Sequence, residues 1–315
     1  MKYIEDFTDG QQVIGHYLCR QKNTLETKSG KRYLSLVLTD KTGRINGKVW
    51  ELNNDIQSFE EGNFIKIDAK AQLYQSEMQL KILRIRKSLE GEYDPADYNP
   101  VTDKDVETLF LQLAGFIKTV GNVHLRKLLE SIFGAGEVAS AFKKSSAAKT
   151  LHHSYMGGLA EHTVSVVQFC DFVSGQYKHI NRDLLITAAM LHDVGKIYEL
   201  SPFPENEYTD EGQLLGHIII GAELVEKEAS KISGFPPKLK LMLKHCILAH
   251  HGEYLFGSPK LPQIIEAYVL FYCDNADAKI KAFEEALSAN KDNLKWLGYN
   301  RMLERNIRKT DTQEV

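Results

Sequence analysis

An adjacent histidine and aspartate, His192 and Asp193, end the apolar segment AAMLHD and together offer two ligands for a metal ion. Further histidines and one aspartate lie in or at the end of other apolar segments. They are His162 in GGLAEHT, His217 in LLGHIII, His250 and His251 in LAHHGEY, and Asp274 in FYCDNADAK. An imidazole or a carboxylate without a partner is costly to bury. One divalent centre bound by the whole set would give each of them a partner.

A single histidine in an apolar run is usually a core residue whose ring nitrogens are hydrogen-bonded. That explanation fits any one of these histidines, but it does not explain why several apolar segments each carry one. We therefore predict a divalent metal centre. Imidazole mixed with carboxylate favours Mn²⁺, Fe²⁺, Co²⁺ or Zn²⁺ over Mg²⁺, and Mn²⁺ is the ion we expect.

Hydrophobic periodicity places these residues on helices. Thr102 is predicted as the N-cap of a first helix, with Asp105 in its acidic first turn. Further helices are predicted over residues 123–133, 137–144, 158–174, 182–192, 215–231, 237–250, 262–288 and 291–307. A helical bundle can direct side chains from several helices to one internal point, so this arrangement can assemble the metal centre. The acidic tract FPENEYTDEG is predicted to be a loop or a short hairpin.

The first ninety residues follow a different, strand-like pattern. Five short segments between about residues 11 and 87 alternate apolar and polar residues, most clearly RYLSLVLTD and RINGKVW. Five short strands suit a small closed barrel, for which an OB-fold is the first choice and an SH3-like barrel fits the periodicity nearly as well. Residues 91–101, with Gly91, Pro95 and Pro100, interrupt both periodicities and indicate a linker.

One face of the predicted barrel carries rings and cations. Tyr33, Arg44, Lys48 and Trp50 lie opposite the apolar positions, and Tyr74 lies in a later loop. Rings that stack on bases and cations that follow phosphates are what single-strand binding requires. Packing of Tyr33 and Trp50 against the helical domain is the alternative.

The ligand pattern resembles the HD superfamily of metal-dependent phosphohydrolases over about residues 150–280. Several motifs that follow the β-rich N-terminal segment are similar to those of the YhaM family of 3′-to-5′ exoribonucleases. They are GGLAEHT, LHDVGK, LLGHI, HHGEYLFGSPKLP and YCDNADAK. The resemblance implies two domains, an N-terminal five-stranded OB-fold barrel (residues 1–90) and, after the linker, an all-α HD bundle (residues 102–315).

The resemblance also implies two metal ions. The first would be bound by His162, His192, Asp193 and Asp274, and the second by Asp193, His217 and His250. His251 is the alternate for His250, because adjacent helical positions diverge by about 100°, and Asp277 is the alternate for Asp274.

Further residues are candidates for contact with the substrate. Lys196 would place its ammonium on a phosphate oxygen in the transition state; its alternative is a solvated lysine at a helix end. His152 and His153 would line the substrate path or cap a loop. Lys260 would touch a phosphate or lie in a plain connecting turn.

Composition fits a two-domain protein of 315 residues with a net charge of −3. Residues 1–90 hold 15 basic against 12 acidic residues, which gives weak support for nucleic-acid binding by the barrel. No apolar run reaches about 18 residues, so we expect no membrane span. The four cysteines form no CxxC pair, which favours a reducing, cytoplasmic location.

The leading hypothesis is a 3′-to-5′ exoribonuclease that hydrolyses single-stranded RNA to nucleoside monophosphates with metal-activated water. Single-stranded DNA as a further substrate and a homo-oligomeric state stay open. One alternative is an HD phosphohydrolase or phosphodiesterase acting on small nucleotides, for which the barrel has no evident use. Another is a non-catalytic nucleic-acid-binding protein of replication or regulation, against which the intact ligand set argues.

Overall fold

A computed structural model of the chain describes residues 2–27, 29–74, 77–94, 97–98, 104–149, 155–203, 205–288, 295–300 and 303–310. The chain divides into two compact units, Met1–Val101 and Thr102–Val315. Each unit has its own hydrophobic core, and the larger core belongs to the second unit. None of the described helices combines the length and apolar character needed to cross a bilayer.

The first unit is a closed five-stranded barrel, as the sequence predicts. Its strands are β1 (Gln12–Glu26), β2 (Arg32–Asp40), β3 (Gly43–Val49), β4 (Phe64–Tyr74) and β5 (Glu77–Lys87). They follow the order β1-β2-β3-β5-β4, in which only the β3–β5 pairing is parallel. An irregularity between Cys19 and Gln21 lets the long strand β1 pair with β4 over one half and with β2 over the other. The predicted OB-fold is confirmed.

Inward-facing and outward-facing residues alternate along the strands, and the inward-facing apolar side chains fill the barrel. Leu36 and Leu38 of β2 and Val49 of β3 are fully buried, while the residues between them face outward. Gly47 packs closely on the core: a Cβ there would lie 2.6 Å from Cδ1 of Ile82, so the end of that side chain would have to move to admit one.

The described part of segment 91–101 packs on the barrel. The ring of Tyr93 stacks on Phe64 with centroids 4.1 Å apart, and the buried Tyr98 hydroxyl donates to the His16 carbonyl oxygen at 3.0 Å. Arg86 forms a bidentate ion pair with Glu92. This segment, which the sequence indicates as a linker, thus belongs by its contacts to the barrel unit.

The second unit is a helical bundle. Its ten helices among the described residues are α1 (Val106–Thr119), α2 (Val123–Phe133), α3 (Glu137–Lys144), α4 (Gly158–Gln176), α5 (Arg182–Leu191), α6 (Lys196–Glu199), α7 (Asp210–Leu214), α8 (Gly216–Ser230), α9 (Pro237–Ala249) and α10 (Ile265–Ser288). Asp105 is the N-cap of α1, accepting from two backbone N–H groups, whereas Thr102 lies outside the described residues.

Two parts of this unit differ from the sequence prediction. The predicted helix over 291–307 is wrong: the described residues there form the hairpin β6 (Trp296–Asn300) and β7 (Arg305–Arg308), so the unit is not entirely α-helical. Leu303 and Ile307, four residues apart, resemble a helical stripe but pack together on α10. In the acidic tract, Tyr208 pairs with Leu200 in an antiparallel bridge, in agreement with the predicted short hairpin, but the last residues of the tract begin the unpredicted helix α7.

Candidate metal centre

Five helices carry the predicted ligands to one place. His162 lies inside α4, where its neighbours are buried on almost every side. His192 caps the C-terminus of α5, and His250 does the same for α9. The other members are Asp193 in the turn after α5, His217 in the first turn of α8, His251 after α9, and Asp274 and Asp277 on α10.

Glycine sets how closely the His-Asp turn approaches α8. A Cβ on Gly195 would lie 2.1 Å from the His217 carbonyl oxygen and 2.7 Å from the Gly221 backbone nitrogen. Since no side chain fits in that gap, Asp193 and His217 can meet only because residue 195 lacks one.

A first cluster forms around Nε2 of His162. This atom lies 3.2 Å from Nε2 of His192, 3.1 Å from Oδ1 of Asp274 and 3.5 Å from Oδ2 of Asp193. Nε2 of His192 lies 3.4 Å from the same Asp193 oxygen. Two imidazoles and two carboxylates therefore share one buried point, which is the predicted first ligand set.

A second cluster forms around the other oxygen of Asp193. Oδ1 lies 3.4 Å from Nε2 of His217 and 3.6 Å from Nε2 of His250. His251 joins the same group, for the three histidines each offer one ligand atom within 4.8 Å of the others. His250 and His251 both approach His217. Because α9 ends at Ala249, the roughly 100° rotation between adjacent helical residues does not direct these two side chains apart.

Two histidines of the clusters are oriented by backbone carbonyl groups. Nδ1 of His192 lies 2.8 Å from the Ala189 oxygen, and Nδ1 of His250 lies 2.7 Å from the Ile247 oxygen. A carbonyl oxygen can only accept, so Nδ1 carries the proton in both rings. Nε2 is then left with its lone pair, as a metal ligand requires.

Two further histidines are oriented by carboxylates. Nδ1 of His162 lies 2.7 Å from Oδ2 of Asp277, and Nδ1 of His217 lies 2.8 Å from Oε1 of Glu199. The same Glu199 oxygen accepts the His217 backbone N–H at 2.9 Å. Carboxylate–histidine pairs of this kind fix the tautomer and raise the basicity of the ligand.

Three buried atoms where the second cluster meets have no hydrogen-bond partner among the described residues: Asp193 Oδ1, His217 Nε2 and His250 Nε2. Each presents a lone pair to the other two. Such an arrangement is unfavourable unless a cation lies between them. The residues present therefore fit a divalent metal.

The electrostatics of the first cluster also favour a cation. Burial lowers the pKa of His162, but hydrogen bonds to Asp274 and Asp277 outweigh it and raise that pKa to about 10. Burial opposes ionisation of Asp193, yet the nearby Lys196 and His192 hold the pKa of this carboxyl well below its usual value. The carboxylates thus stay charged and attract positive charge to the site.

Burial keeps two imidazoles of the second cluster, His250 and His251, neutral. Burial lowers the pKa of His250. Burial is the largest cause that lowers the pKa of His251, to about 4. Neutral rings of this kind donate lone pairs at neutral pH.

Lys196 lies at the edge of the first cluster. Its Nζ is 2.8 Å from Oδ2 of Asp193, and its side chain is 17% exposed. Burial lowers the pKa of Lys196, but attraction to Asp193 outweighs it, so the pKa is raised and the ammonium stays charged. The solvated helix-end lysine considered as the alternative does not describe this position.

Other predicted substrate contacts lie elsewhere or outside the described residues. Lys260 is exposed, and its carbonyl oxygen accepts from the Ser258 hydroxyl at 2.7 Å, which closes the turn after α9. Among the described residues, no contact joins the Lys260 ammonium to the histidines of the two clusters. His152 and His153 lie in the range 150–154, outside the described residues.

The predicted aromatic residues of the barrel form a stack. The rings of Tyr33 and Trp50 lie 4.7 Å apart at an interplanar angle of 28°, and Lys48 Nζ is 5.7 Å from the Tyr33 ring centroid. Arg44 is exposed on β3, and Tyr74, at the end of β4, is 59% exposed.

Sequence reasoning missed Glu199. It lies at the end of the four-residue helix α6, too short for a periodic signal, and 18 residues before the histidine that it orients. Only the packing of α6 on α8 brings the two together. The sequence did indicate Asp277 as a candidate, because it lies one helical turn from Asp274.

Comparison with known proteins matches both units. A family model for the HD domain matches residues 159–279, and a model for an OB-fold nucleic acid binding domain matches residues 20–87. The protein named 3′-5′ exoribonuclease YhaM from Geobacillus sp. (strain WCH70) is 33% identical over 292 residues, which cover 92% of this chain and 89% of that protein. Its namesake from Bacillus pumilus (strain SAFR-032) is 32% identical over 291 residues, 91% of each chain.

Among solved structures, the second OB-fold domain of replication protein A from Methanococcus maripaludis aligns with 30% of this chain and 98% of its own. The identity is 18% and the TM-score is 0.24.

Proposed function

The chain belongs to the family of YhaM 3′-5′ exoribonucleases, and on that premise we propose that it degrades single-stranded RNA to nucleoside monophosphates with two Mn²⁺ ions at the HD site. It is a hydrolase of the metal-dependent 3′-5′ exoribonuclease class, in which an OB-fold domain precedes an HD domain along the chain. The substrate, the products, the number of ions and the identity of the ion are the proposed parts.

One observation carries the two-ion proposal: the two oxygens of Asp193 face different clusters. Oδ2 faces His162 and His192, while Oδ1 faces His217 and His250. A bridging carboxylate between two imidazole groups is the arrangement expected of a dinuclear centre. His162, His192, Asp193 and Asp274 would hold one ion, and Asp193, His217 and His250, with His251 beside them, would hold the other.

Donor chemistry supports Mn²⁺. The site offers several imidazole nitrogens beside carboxylate oxygens, which Mg²⁺ disfavours, and it has no thiolate ligand among the clustered residues. When bound, the ions supply a water of lowered pKa and positive charge at the phosphoryl oxygens.

Residues of this chain then have separable roles. Asp277 and Glu199 are positioning residues, for they hold His162 and His217 with the Nε2 lone pair directed into the site. Lys196 is proposed as a catalytic residue. Its buried ammonium, close to Asp193, would contact a non-bridging phosphate oxygen and stabilise the negative charge that develops there.

The barrel supports a single-stranded substrate over a mononucleotide. The stack of Tyr33 and Trp50 offers a ring face to a base, and Lys48 beside it offers a cation to a phosphate. A small nucleotide would need neither. We also place the enzyme in the cytoplasm, on the support of four cysteines that are all free and buried.

The test is a time course on single-stranded RNA labelled at its 5′ end, with and without Mn²⁺, beside His192→Ala. The proposal expects a ladder that shortens from the 3′ end, that requires Mn²⁺ and that the variant abolishes. Comparison with a labelled single-stranded DNA of the same sequence measures substrate preference. Absence of RNA cleavage with every divalent metal tried would contradict it.

A further inference from the structure

Three lysines occupy one lateral row on the outside of the barrel. Lys48 on β3 is in register with Lys81 on β5, and Lys81 is in register with Lys70 on β4. The residues on either side of each lysine point into the barrel core: Gly47 and Val49, Leu80 and Ile82, Ala69 and Ala71. The three ammonium groups therefore project from the same outer surface.

This row is unfavourable for folding. In an antiparallel pair such as Lys70 and Lys81, the Cβ atoms lie about 5 Å apart, and like charges in such a pair are destabilising. No carboxylate of the described residues forms an ion pair with any of the three. Some other cations of the unit do form ion pairs, as Arg32 does with Glu26 and Arg86 does with Glu92.

One acid near this row is engaged in another contact. Asp68, two residues along β4 from Lys70, accepts a hydrogen bond from the Gln12 amide at 3.0 Å. The next row across the same strands consists of amides, because Asn46 is in register with Gln79 and Gln79 with Gln72. The surface around the lysines thus offers hydrogen-bond donors and positive charge.

The row begins at the aromatic stack. Lys48 Nζ donates to the Ser35 hydroxyl at 2.6 Å and lies against the ring of Tyr33, which stacks on Trp50. From there the cations lead away across β5 to β4. A ligand whose base lies on the Tyr33–Trp50 stack would therefore meet successive ammonium groups as it leaves the stack.

We propose that the row Lys48–Lys81–Lys70 binds consecutive phosphates of single-stranded RNA whose base stacks at Tyr33 and Trp50. This inference rests on the proposed function and adds two residues, Lys70 and Lys81, that the motifs do not indicate. Uncompensated repulsion between paired lysines is explained if a polyanion neutralises them in the complex. The RNA backbone crosses the strands instead of following one of them.

The test measures how RNA affinity depends on salt. The affinity of the full-length protein for a fluorescently labelled single-stranded RNA is measured at a series of KCl concentrations. The buffer contains a metal chelator, which prevents hydrolysis of the RNA. Each phosphate contact contributes about 0.7 to the slope of log K against log salt for single strands. Lys70→Gln/Lys81→Gln is expected to reduce the slope by about 1.4 and the affinity at physiological salt roughly ten-fold.

Two matched variants make the result specific. Lys227→Gln/Lys238→Gln removes the same charge from exposed positions of the helical unit and is expected to leave the slope unchanged. Lys70→Arg/Lys81→Arg keeps the charge and should keep the slope. An unchanged slope in Lys70→Gln/Lys81→Gln, or an equal decrease in the Lys227/Lys238 variant, would overturn the proposal.

Two further readouts separate this inference from the proposed function. Hydrolysis of bis(p-nitrophenyl) phosphate with Mn²⁺ needs only the HD site, so the Lys70/Lys81 variant should retain the wild-type rate. If wild-type protein cleaves no RNA with any divalent metal, the proposed function fails, while the salt dependence of RNA affinity still tests the lysine row. Relief of repulsion should leave the melting temperature of the glutamine variant equal or higher, and a clear decrease would contradict the repulsion that motivates the proposal.

Discussion

Nδ1 of His162 donates a hydrogen bond to Oδ2 of Asp277, 2.7 Å away, while Nε2 of the same ring faces Asp274 at 3.1 Å. One aspartate of α10 therefore orients the histidine whose opposite nitrogen meets the other aspartate. The two acids, one helical turn apart, have different roles although the sequence presents them alike.

We expect Asp277→Asn to weaken Mn²⁺ binding about 10- to 100-fold, the usual effect of losing a residue that orients a ligand. Activity should return at saturating Mn²⁺, because the ligands themselves remain. Isothermal titration with Mn²⁺ and RNA hydrolysis over a range of Mn²⁺ concentrations measure both. The exposed Asp210→Asn serves as control. Activity that stays low at saturating metal would assign Asp277 a direct role instead.

Glu199→Ala should impair the second cluster selectively. Oε1 of Glu199 accepts both the backbone N–H and the Nδ1–H of His217, and no other contact described here fixes that ring's tautomer. At limiting Mn²⁺ we expect the bound metal to decrease from two ions toward one per chain, measured by elemental analysis. Glu207→Ala, on an exposed residue of the acidic tract, should retain both ions. Retention of both ions by Glu199→Ala would refute its positioning role.

Gly195→Ala should disrupt the contact between the His-Asp turn and α8. The added Cβ would lie 2.1 Å from the His217 carbonyl oxygen, which is backbone and cannot rotate away. Overpacking of this kind costs about 1–3 kcal/mol, and metal affinity should fall with it. Gly115→Ala in α1 is the matched control, since a Cβ there meets nothing within 4 Å. It should stabilise the protein by about 0.5–1 kcal/mol in thermal unfolding.

Removal of metal should lower stability. Without a cation, the lone pairs of Asp193, His217 and His250 face one another in a buried site. Mn²⁺ at 100 times its dissociation constant contributes about 2.7 kcal/mol, equivalent to roughly 5–10 °C in melting temperature for a unit of this size. Differential scanning fluorimetry with Mn²⁺ and with EDTA tests this. The shift should be absent in Asp193→Ala, and an equal shift there would place the stabilising ion elsewhere.

The sequence was informative where periodicity and motif agree. Amphipathic helices such as α2 and α3 follow their predicted bounds, and the buried leucines of β2 follow strict alternation. The His-Asp pair could be recognised because its residue types have few other uses in an apolar segment. These are local signals, which need no knowledge of what packs against them.

The sequence failed where tertiary contact decides. Residues 291–307 were predicted as a helix, yet the described residues there form β6 and β7, and Leu303 and Ile307 pack on α10. Glu199 and the lateral row of lysines could not be found at all. Each depends on register or packing between elements distant in the chain, which a single sequence does not encode in its spacing.

The most direct test of the central claim, that Asp193 bridges two ions, is anomalous scattering at the manganese edge from crystals grown with Mn²⁺. We predict two peaks about 3.5–4 Å apart on either side of the Asp193 carboxylate. One should lie among His162, His192 and Asp274, and the other beside His217 and His250. A single peak, or peaks away from Asp193, would contradict the account.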